Sequence, residues 1–166
     1  MVETSVRSPS YPTEQKKAES LIHQYLKKHD EEDLAEEYDL LPFPIRVQSL
    51  ERTFADKLYA VADYYLADMA ERDSRHLYDL YCMMPLIDID ASYRKFLRNL
   101  KILRMSQPNN PSANSSRTLV ELLREIYVSD FYKSDYENCT KQLLYENVSY
   151  EQVKDNLRQV IEKLEE

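Results

Sequence analysis

Most apolar residues of this chain recur at intervals of three and four, which is the pattern of amphipathic α-helices. The clearest case follows Ser49, where Phe54, Leu58 and Val61 fall on one helical face. We predict five to seven helices: residues 13–28, a helix from Ser49 that includes Met69, one from Asp73 or Ser74 to Pro85, one from Asp88 or Asp90 through Leu103, one from Ser116 through Ile126, a segment within 132–145, and one from Ser149 through Leu164.

The alternation typical of strands occurs at only two places, residues 2–8 and residues 45–48. Pro42 and Pro44 exclude a helix immediately before the second segment. The two segments can pair, although an isolated pair of strands is only marginally stable. Between them, the charged residues 27–39 predict an exposed turn or a short helix. The predicted fold class is therefore mainly α (α+β), a helical bundle with about two short strands.

Glycine is absent from the sequence, although average usage would place about a dozen in 166 residues. Phosphate-binding loops of the P-loop and GxGxxG types need glycine, because the backbone approaches the phosphate too closely for a Cβ. Both nucleotide-binding motifs are therefore excluded. Tight hairpins also favour glycine, which makes a sheet-rich fold improbable. The length fits one domain over residues 1–166, with a partial sheet region at 1–48 and a helical region at 49–166.

The formal net charge is −8, from 30 acidic and 22 basic residues, which argues against a surface that grips nucleic acid throughout. The sequence has no secretory apolar region and no apolar run long enough to cross a membrane. Its two cysteines, Cys82 and Cys139, fit a reducing compartment. We therefore expect a cytoplasmic protein that does not contact a membrane.

Lys57 and Asp79 lie in two consecutive predicted helices and are the candidates for chemistry. If the turn centres near residue 71, their axial offset is about 9 Å at 1.5 Å per residue. The two side chains would then flank a ligand rather than pair. Alternatively, Lys57 is a solvated charge and Asp79 pairs with Arg75 on the same helix. Spacing alone favours the second interpretation.

Two runs of sequence carry a resemblance to a known family. They are EYDLLPFPIRVQSLERTFADKL at 37–58 and RDSRHLYDLYCMM at 72–84. Together they resemble the AbiEii/AbiGii nucleotidyltransferase toxins of type IV toxin-antitoxin and abortive-infection systems. The specific features are SLERTFADKL, the RxxRHxYDL pattern, and the separation of the motif lysine from the motif aspartate. The similarity covers at least residues 9–84, whereas residues 85–166 match only as a helical tail.

The resemblance implies a polymerase-β-like core that transfers a nucleotide from an NTP to an acceptor such as tRNA, with Mg²⁺ as cofactor. It implies that Lys57 contacts the triphosphate and that Asp79 completes the active site. The supporting candidates from the same motifs are Arg52, Asp56, Arg75 and His76. An ammonium that offsets phosphate charge and a carboxylate that orients it suit this chemistry. A cognate antitoxin is the implied protein partner.

The sequence departs from the family in one respect, because a glycine turn followed by a metal-binding D-x-D pair should precede Lys57. No such motif is present. Asp88 and Asp90 read D-I-D, but they follow Lys57 and are expected to cap a helix. We therefore expect no metal site and no bound cofactor in this chain alone. The interpretation is a C-terminal portion of such a toxin, with the two strands left from its sheet, inactive by itself.

Two other functions stay open. The predicted helix after Asp90 has a basic side that can receive an RNA backbone, in which Arg94, Arg98 and Lys101 are the named contacts, although such faces are more often only solvated. A non-catalytic helical module that binds a partner protein is also compatible with the 14 tyrosines. A GS-x-D-x-D segment encoded upstream would favour the enzyme. The sequence predicts neither the NTP, nor the acceptor, nor the oligomeric state.

Overall fold

The computed structural model describes residues 12–71, 73–107 and 109–165. Within these residues the protein has nine α-helices, two short 3₁₀ turns and one two-stranded sheet. In chain order the elements are β1 (Thr13–Ala18), α1 (Leu21–Lys28), α2 (Glu32–Glu37), β2 (Phe43–Gln48), α3 (Leu50–Leu66), α4 (Arg75–Met83), a 3₁₀ turn (Met84–Leu86), α5 (Ala91–Met105), α6 (Pro111–Asn114), α7 (Leu119–Ser129), α8 (Lys133–Asn138), a second 3₁₀ turn (Thr140–Leu143) and α9 (Tyr150–Glu165). The mainly α prediction is confirmed, and the helices beyond the predicted number are short ones.

The chain divides into two compact units, Met1–Arg52 and Thr53–Glu166. In the described part of the first unit, β1 and β2 pair antiparallel, from Thr13 opposite Gln48 to Ala18 opposite Phe43. The predicted strand at 45–48 is thus confirmed and is slightly longer. Its predicted partner, residues 2–8, lies outside the described residues.

The prediction of one helix over 13–28 is wrong at its N-terminal end. Residues 13–18 form β1, and α1 begins only at Leu21, where the Ser20 side chain accepts a hydrogen bond from the His23 backbone at 3.0 Å. The segment TEQKKA offers almost no apolar residues for a helical face, so sheet pairing with β2 determines its conformation. The short helix predicted within 27–39 is confirmed as α2, in which Ala35 is fully buried.

In the second unit, α3 supplies the centre of the core. Phe54, Leu58 and Val61 are fully buried, as their spacing predicted. The hydroxyl of Tyr132, which is also buried, donates a hydrogen bond to the carbonyl oxygen of Val61 at 2.7 Å. Helices α7 and α9 add further buried residues, namely Leu122, Leu123, Ile126, Val153, Leu157, Val160 and Ile161. Met69 lies beyond the end of α3 and is exposed, so the prediction that this helix includes Met69 is wrong.

Helix starts follow local side-chain chemistry. The Ser49 hydroxyl accepts from the Arg52 backbone at 3.2 Å, which confirms it as the cap of α3. Of the two candidates for α5, Asp90 is the cap and accepts from the Tyr93 backbone at 2.7 Å. A reciprocal pair of hydrogen bonds between residues 149 and 152 confirms the capping box before α9.

The predicted cap of α7, Ser116, is wrong. Thr118 occupies that position, and its side chain accepts from the Glu121 backbone at 3.2 Å while the Glu121 carboxylate accepts from the Thr118 backbone at 2.6 Å. Both residues can cap, but only Thr118 has an acidic residue three positions later. None of the described helices has the length and apolar character needed to cross a membrane.

Candidate functional site

Helices α3 and α4 bring Lys57 and Asp79 together. The Lys57 ammonium nitrogen lies 2.7 Å from Oδ2 of Asp79, which is an ion pair with hydrogen-bonding distance. The two side chains are 30% and 36% exposed, so the pair sits at the surface with about two thirds of each side chain covered. An incoming anion can therefore reach the ammonium without unfolding either helix.

His76 joins this pair as a third member. Its Nδ1 lies 3.2 Å from the Lys57 ammonium and 3.4 Å from Oδ2 of Asp79. Because a neutral imidazole nitrogen either accepts or donates, its tautomer decides which of the two neighbours it bonds. The ring is buried and stacks almost parallel to Tyr64, with centroids 5.7 Å apart. On its other side, Nε2 lies 3.9 Å from Oδ1 of Asp73. His76 thus stands between two carboxylates.

The pKa values of the Asp79 and Asp73 carboxylates are shifted in opposite directions. Burial alone raises the pKa of Asp79, but hydrogen bonds from His76 and Lys57, together with the lysine charge, outweigh it and hold that pKa below its usual value. Burial raises the pKa of Asp73, and the nearby His76 and Arg75 only partly oppose that shift. Asp79 therefore stays ionised as the counterion of Lys57, whereas ionised Asp73 is disfavoured by its surroundings.

The prediction that Lys57 and Asp79 flank a ligand without pairing is wrong. It counted continuous helix outward from a turn centred near residue 71. The connection between Leu66 of α3 and Arg75 of α4 is centred there, but its eight residues belong to neither helix, so a rise of about 1.5 Å per residue does not give the offset. The long lysine side chain covers the remaining distance. The alternative pairing of Asp79 with Arg75 is not observed, because the Arg75 guanidinium points to Asp73 at 3.8 Å.

The other two supporting candidates, Asp56 and Arg52, precede Lys57 on α3. Asp56 forms an ion pair with Arg104 of α5 at 3.4 Å. Arg52 is buried in the first turn of α3 and belongs to the first compact unit. Sequence reasoning missed Asp73 and Tyr64 as neighbours of His76. The spacing of three residues between Asp73 and His76 is a usable signal, since such residues share a helical face; the stacking of Tyr64 has no counterpart in the local sequence.

The family comparison adds to this geometry. The family model described as "Nucleotidyl transferase AbiEii toxin, Type IV TA system" matches residues 1–163. The chain belongs to the AbiEii family. The match includes residues 85–163, which the sequence motifs alone left as a weakly matching tail. No curated protein and no solved structure matches the chain significantly.

AbiEii membership implies an NTP, a metal ion and a cognate antitoxin. Among the described residues there is no group of three or more His, Cys, Asp or Glu side chains that could hold a metal ion. The single D-x-D sequence is also unsuitable: Asp90 caps α5 through the Tyr93 backbone. The residues that do suit a nucleotide are Lys57 and its neighbours.

The three basic residues that were predicted to contact RNA lie along α5 of this AbiEii protein and line one cavity. The Arg94 guanidinium also donates to the carbonyl oxygens of Ile89 and Lys163, at 3.4 and 3.0 Å. Arg94 therefore joins α5 to α9, while the other two cations are available at the surface.

Proposed function

We propose that this AbiEii protein takes part in nucleotidyl transfer, with Lys57 as the group that binds the NTP triphosphate. The observation that carries the proposal is the 2.7 Å contact between the Lys57 ammonium and Asp79, with His76 beside both. Asp79 holds the Lys57 ammonium at the surface through an ion pair that a triphosphate can replace. A compact ammonium is suited to offset phosphate charge, and the fixed ring of His76 limits where it can move.

Asp79 acts as the resting counterion of Lys57. When a triphosphate approaches, its oxygens compete with the carboxylate for the ammonium, and Asp79 keeps His76 as a hydrogen-bond partner. In the transfer itself, an acceptor hydroxyl oxygen attacks the α-phosphorus and its proton passes to water. The bond between the α-phosphorus and the oxygen that bridges it to the β-phosphorus breaks, and pyrophosphate leaves with that oxygen. Lys57 contributes by offsetting the negative charge that builds on the departing pyrophosphate.

The carboxylates that hold Mg²⁺ in a complete active site are proposed to come from polypeptide other than these 166 residues. The support is the absence of a metal-holding group among the described residues together with the lack of a D-x-D pair before Lys57. The 166-residue chain is then expected to bind an NTP weakly and to transfer nothing by itself.

The binding step is tested with the 166-residue chain and each of the four NTPs by isothermal titration calorimetry. Lys57→Met is expected to lower NTP affinity at least about tenfold, since one direct charge-assisted contact is lost. Lys95→Met is the matched control, because Lys95 is an exposed lysine of α5 and its loss changes the net charge equally. Equal affinities for the Lys57→Met variant and the unchanged chain would show that Lys57 does not bind the triphosphate.

The transfer step needs a separate assay with radiolabelled NTP, Mg²⁺ and tRNA. No label should appear on tRNA with the purified chain. Labelling of tRNA by this chain would refute the proposal that the metal-binding carboxylates come from other polypeptide. The role of Lys57 would then still be tested by Lys57→Met.

A second candidate function is partner binding, and one observation favours it. In the first unit several large apolar side chains are exposed by more than 45%: Leu21, Ile22, Tyr25, Tyr38, Leu41 and Phe43. Leu21 and Tyr25 are four positions apart on α1 and therefore share one exposed face, which suits a docking surface. A Leu21→Glu, Tyr25→Glu variant should lose binding to the cognate antitoxin in a co-purification experiment. Retained binding would remove this surface as the contact.

A further inference from the structure

A cavity of about 410 Å³ lies between α5, the start of α7 and the end of α9. Its wall is largely apolar and includes Leu97, Leu119, Val120 and Leu164. Tyr59 of α3 also lines it, and that ring is fixed because its hydroxyl donates to the Leu97 carbonyl oxygen at 3.0 Å. The volume is within the range of small-ligand sites and suits one planar ring with its attached sugar.

Three cations line this cavity, and one of them, Arg94, is already bonded to two backbone carbonyl oxygens. The other two, Arg98 and Lys101, form no ion pair with any side chain in the described part of the chain. The acidic residue of the lining, Glu165, is already paired with Arg124. The local charge is therefore positive, although the chain as a whole carries −8. A ligand that fits this site has an apolar body and a negative charge.

The arrangement of Arg98 and Lys101 narrows the choice of ligand further. They are three residues apart on one helix, which places them about 4.5 Å apart along the axis. A single carboxylate needs only one cation, whereas successive phosphates of a nucleic-acid strand present negative charge repeatedly. Unpaired nucleotides also expose the planar face of a base, which apolar and aromatic side chains bind by stacking. The apolar wall and the two cations thus match the base and the phosphates of one unpaired nucleotide within an RNA strand.

We infer that this cavity binds an unpaired nucleotide of an RNA strand, with the base against the apolar wall and the adjoining phosphates on Arg98 and Lys101. The inference rests on the proposed function in that it gives the acceptor RNA a place on the chain. It is physically separate from the nucleotide-transfer site, because Lys57, Asp79 and His76 do not line this cavity.

The charge part is tested by fluorescence anisotropy with a labelled ten-nucleotide single-stranded RNA over a range of salt concentrations. Lys101→Glu should weaken binding about tenfold and lower the slope of log affinity against log salt by about one. Lys95→Glu is the matched control, since Lys95 is exposed on the same helix but does not line the cavity, and it should change neither quantity. Equal losses of RNA affinity in Lys101→Glu and Lys95→Glu would show that RNA is attracted by charge in general, and this result would overturn the proposed site.

The apolar part is tested by filling the cavity without changing charge. Val120→Trp should weaken single-stranded RNA about tenfold, the effect of one lost stacking contact, and should leave the salt slope unchanged. Val128→Trp on the same helix is the control, because Val128 is 73% exposed and lies outside this cavity. Far-UV circular dichroism shows whether both variants fold. If Val120→Trp does not fold, the RNA affinity of Lys101→Glu tests the proposed site.

Two further ligands complete the experiment. A duplex RNA of the same length should bind at least about fivefold more weakly than the single strand, because its bases are not available for stacking. Equal binding of duplex and single strand would overturn the base contact. Binding of dodecanoate in place of RNA would show an apolar anion site of another kind and would also overturn the inference. Lys57→Met should retain RNA affinity, so a failure of the transfer proposal is distinguishable from a failure here.

Discussion

The ammonium of Lys57 lies 2.7 Å from the carboxylate of Asp79, although 22 positions separate the two residues in the chain. The contact makes each side chain the main charge partner of the other. Any phosphate that binds Lys57 must therefore compete with Asp79. This competition gives the two residues opposite effects on NTP binding, which a simple list of active-site residues does not predict.

Removing the charge of Asp79 should strengthen NTP binding. In Asp79→Asn, Lys57 loses its counterion, so the triphosphate no longer displaces a carboxylate, and affinity should rise about threefold to tenfold. Isothermal titration calorimetry with the chain and the preferred NTP measures the change. Asp155→Asn is the control, because Asp155 pairs with Arg158 on α9 and should leave NTP affinity unchanged. Weaker NTP binding in Asp79→Asn would mean that the carboxylate itself contacts the nucleotide.

Stability should depend on pH in opposite ways at Asp79 and Asp73. The pKa of Asp79 is lowered, so its ionised form stabilises the folded state above the ordinary aspartate pKa of about 4, and this contribution is lost as pH falls through the lowered value. Asp79→Asn should thus cost up to about 1 kcal/mol at pH 7, because the ion pair is partly solvated, and progressively less as the pH falls through the lowered pKa.

The pKa of Asp73 is raised, so ionisation of its carboxyl group disfavours the folded state above that value, and the penalty disappears as pH falls through it. Asp73→Asn should therefore be as stable as the unchanged chain or more stable at pH 7. Urea unfolding at pH 7 and at pH 2.5 measures both variants. A loss of stability at pH 7 in Asp73→Asn would contradict the raised pKa.

Arg104 should contribute far more to stability than its neighbours on α5. Its guanidinium lies 2.6 Å from Asp63 and 3.4 Å from Asp56, and it covers the ring of Tyr59 at 4.8 Å. Arg104→Met leaves the largely buried Asp63 without its cation and should cost about 3 kcal/mol. Urea unfolding compares it with Arg98→Met, which removes the same charge from an exposed site of the same helix and should cost at most about 0.5 kcal/mol. Similar losses in both variants would show that the ion pairs are not the cause.

The cap of α7 can be assigned by a matched pair of variants. Thr118→Ala removes the side chain that accepts from the Glu121 backbone and should lower the free energy of unfolding by about 1 kcal/mol. Ser116→Ala alters the residue favoured by sequence reasoning and should have almost no effect. Thermal unfolding followed by circular dichroism measures both. A larger loss of stability in Ser116→Ala than in Thr118→Ala would show that Ser116 caps α7.

Much of the fold was predictable because it depends on neighbours in the chain. Helical periodicity located α3, α4, α5, α7 and α9, and short-range hydrogen bonds located the caps at Ser49, Asp90 and Ser149. The motifs around Lys57 and Asp79 were also sufficient to indicate the AbiEii family, which the match over residues 1–163 confirms. The roles of these residues in transfer stay predictions.

Neighbouring residues in the chain specify which segments are helical, where most helices begin, and which residues carry the family motifs, because these properties arise within a few positions. The tertiary structure alone decided that residues 13–18 pair as a strand, that Lys57 pairs with Asp79, and that Arg98 and Lys101 share a cavity. The helix contacts depend on how α3, α4, α5, α7 and α9 lie against one another, and the strand pairing depends on how β1 and β2 meet. Local spacing contains no information on that placement, since it is set by packing between residues that are distant in the chain.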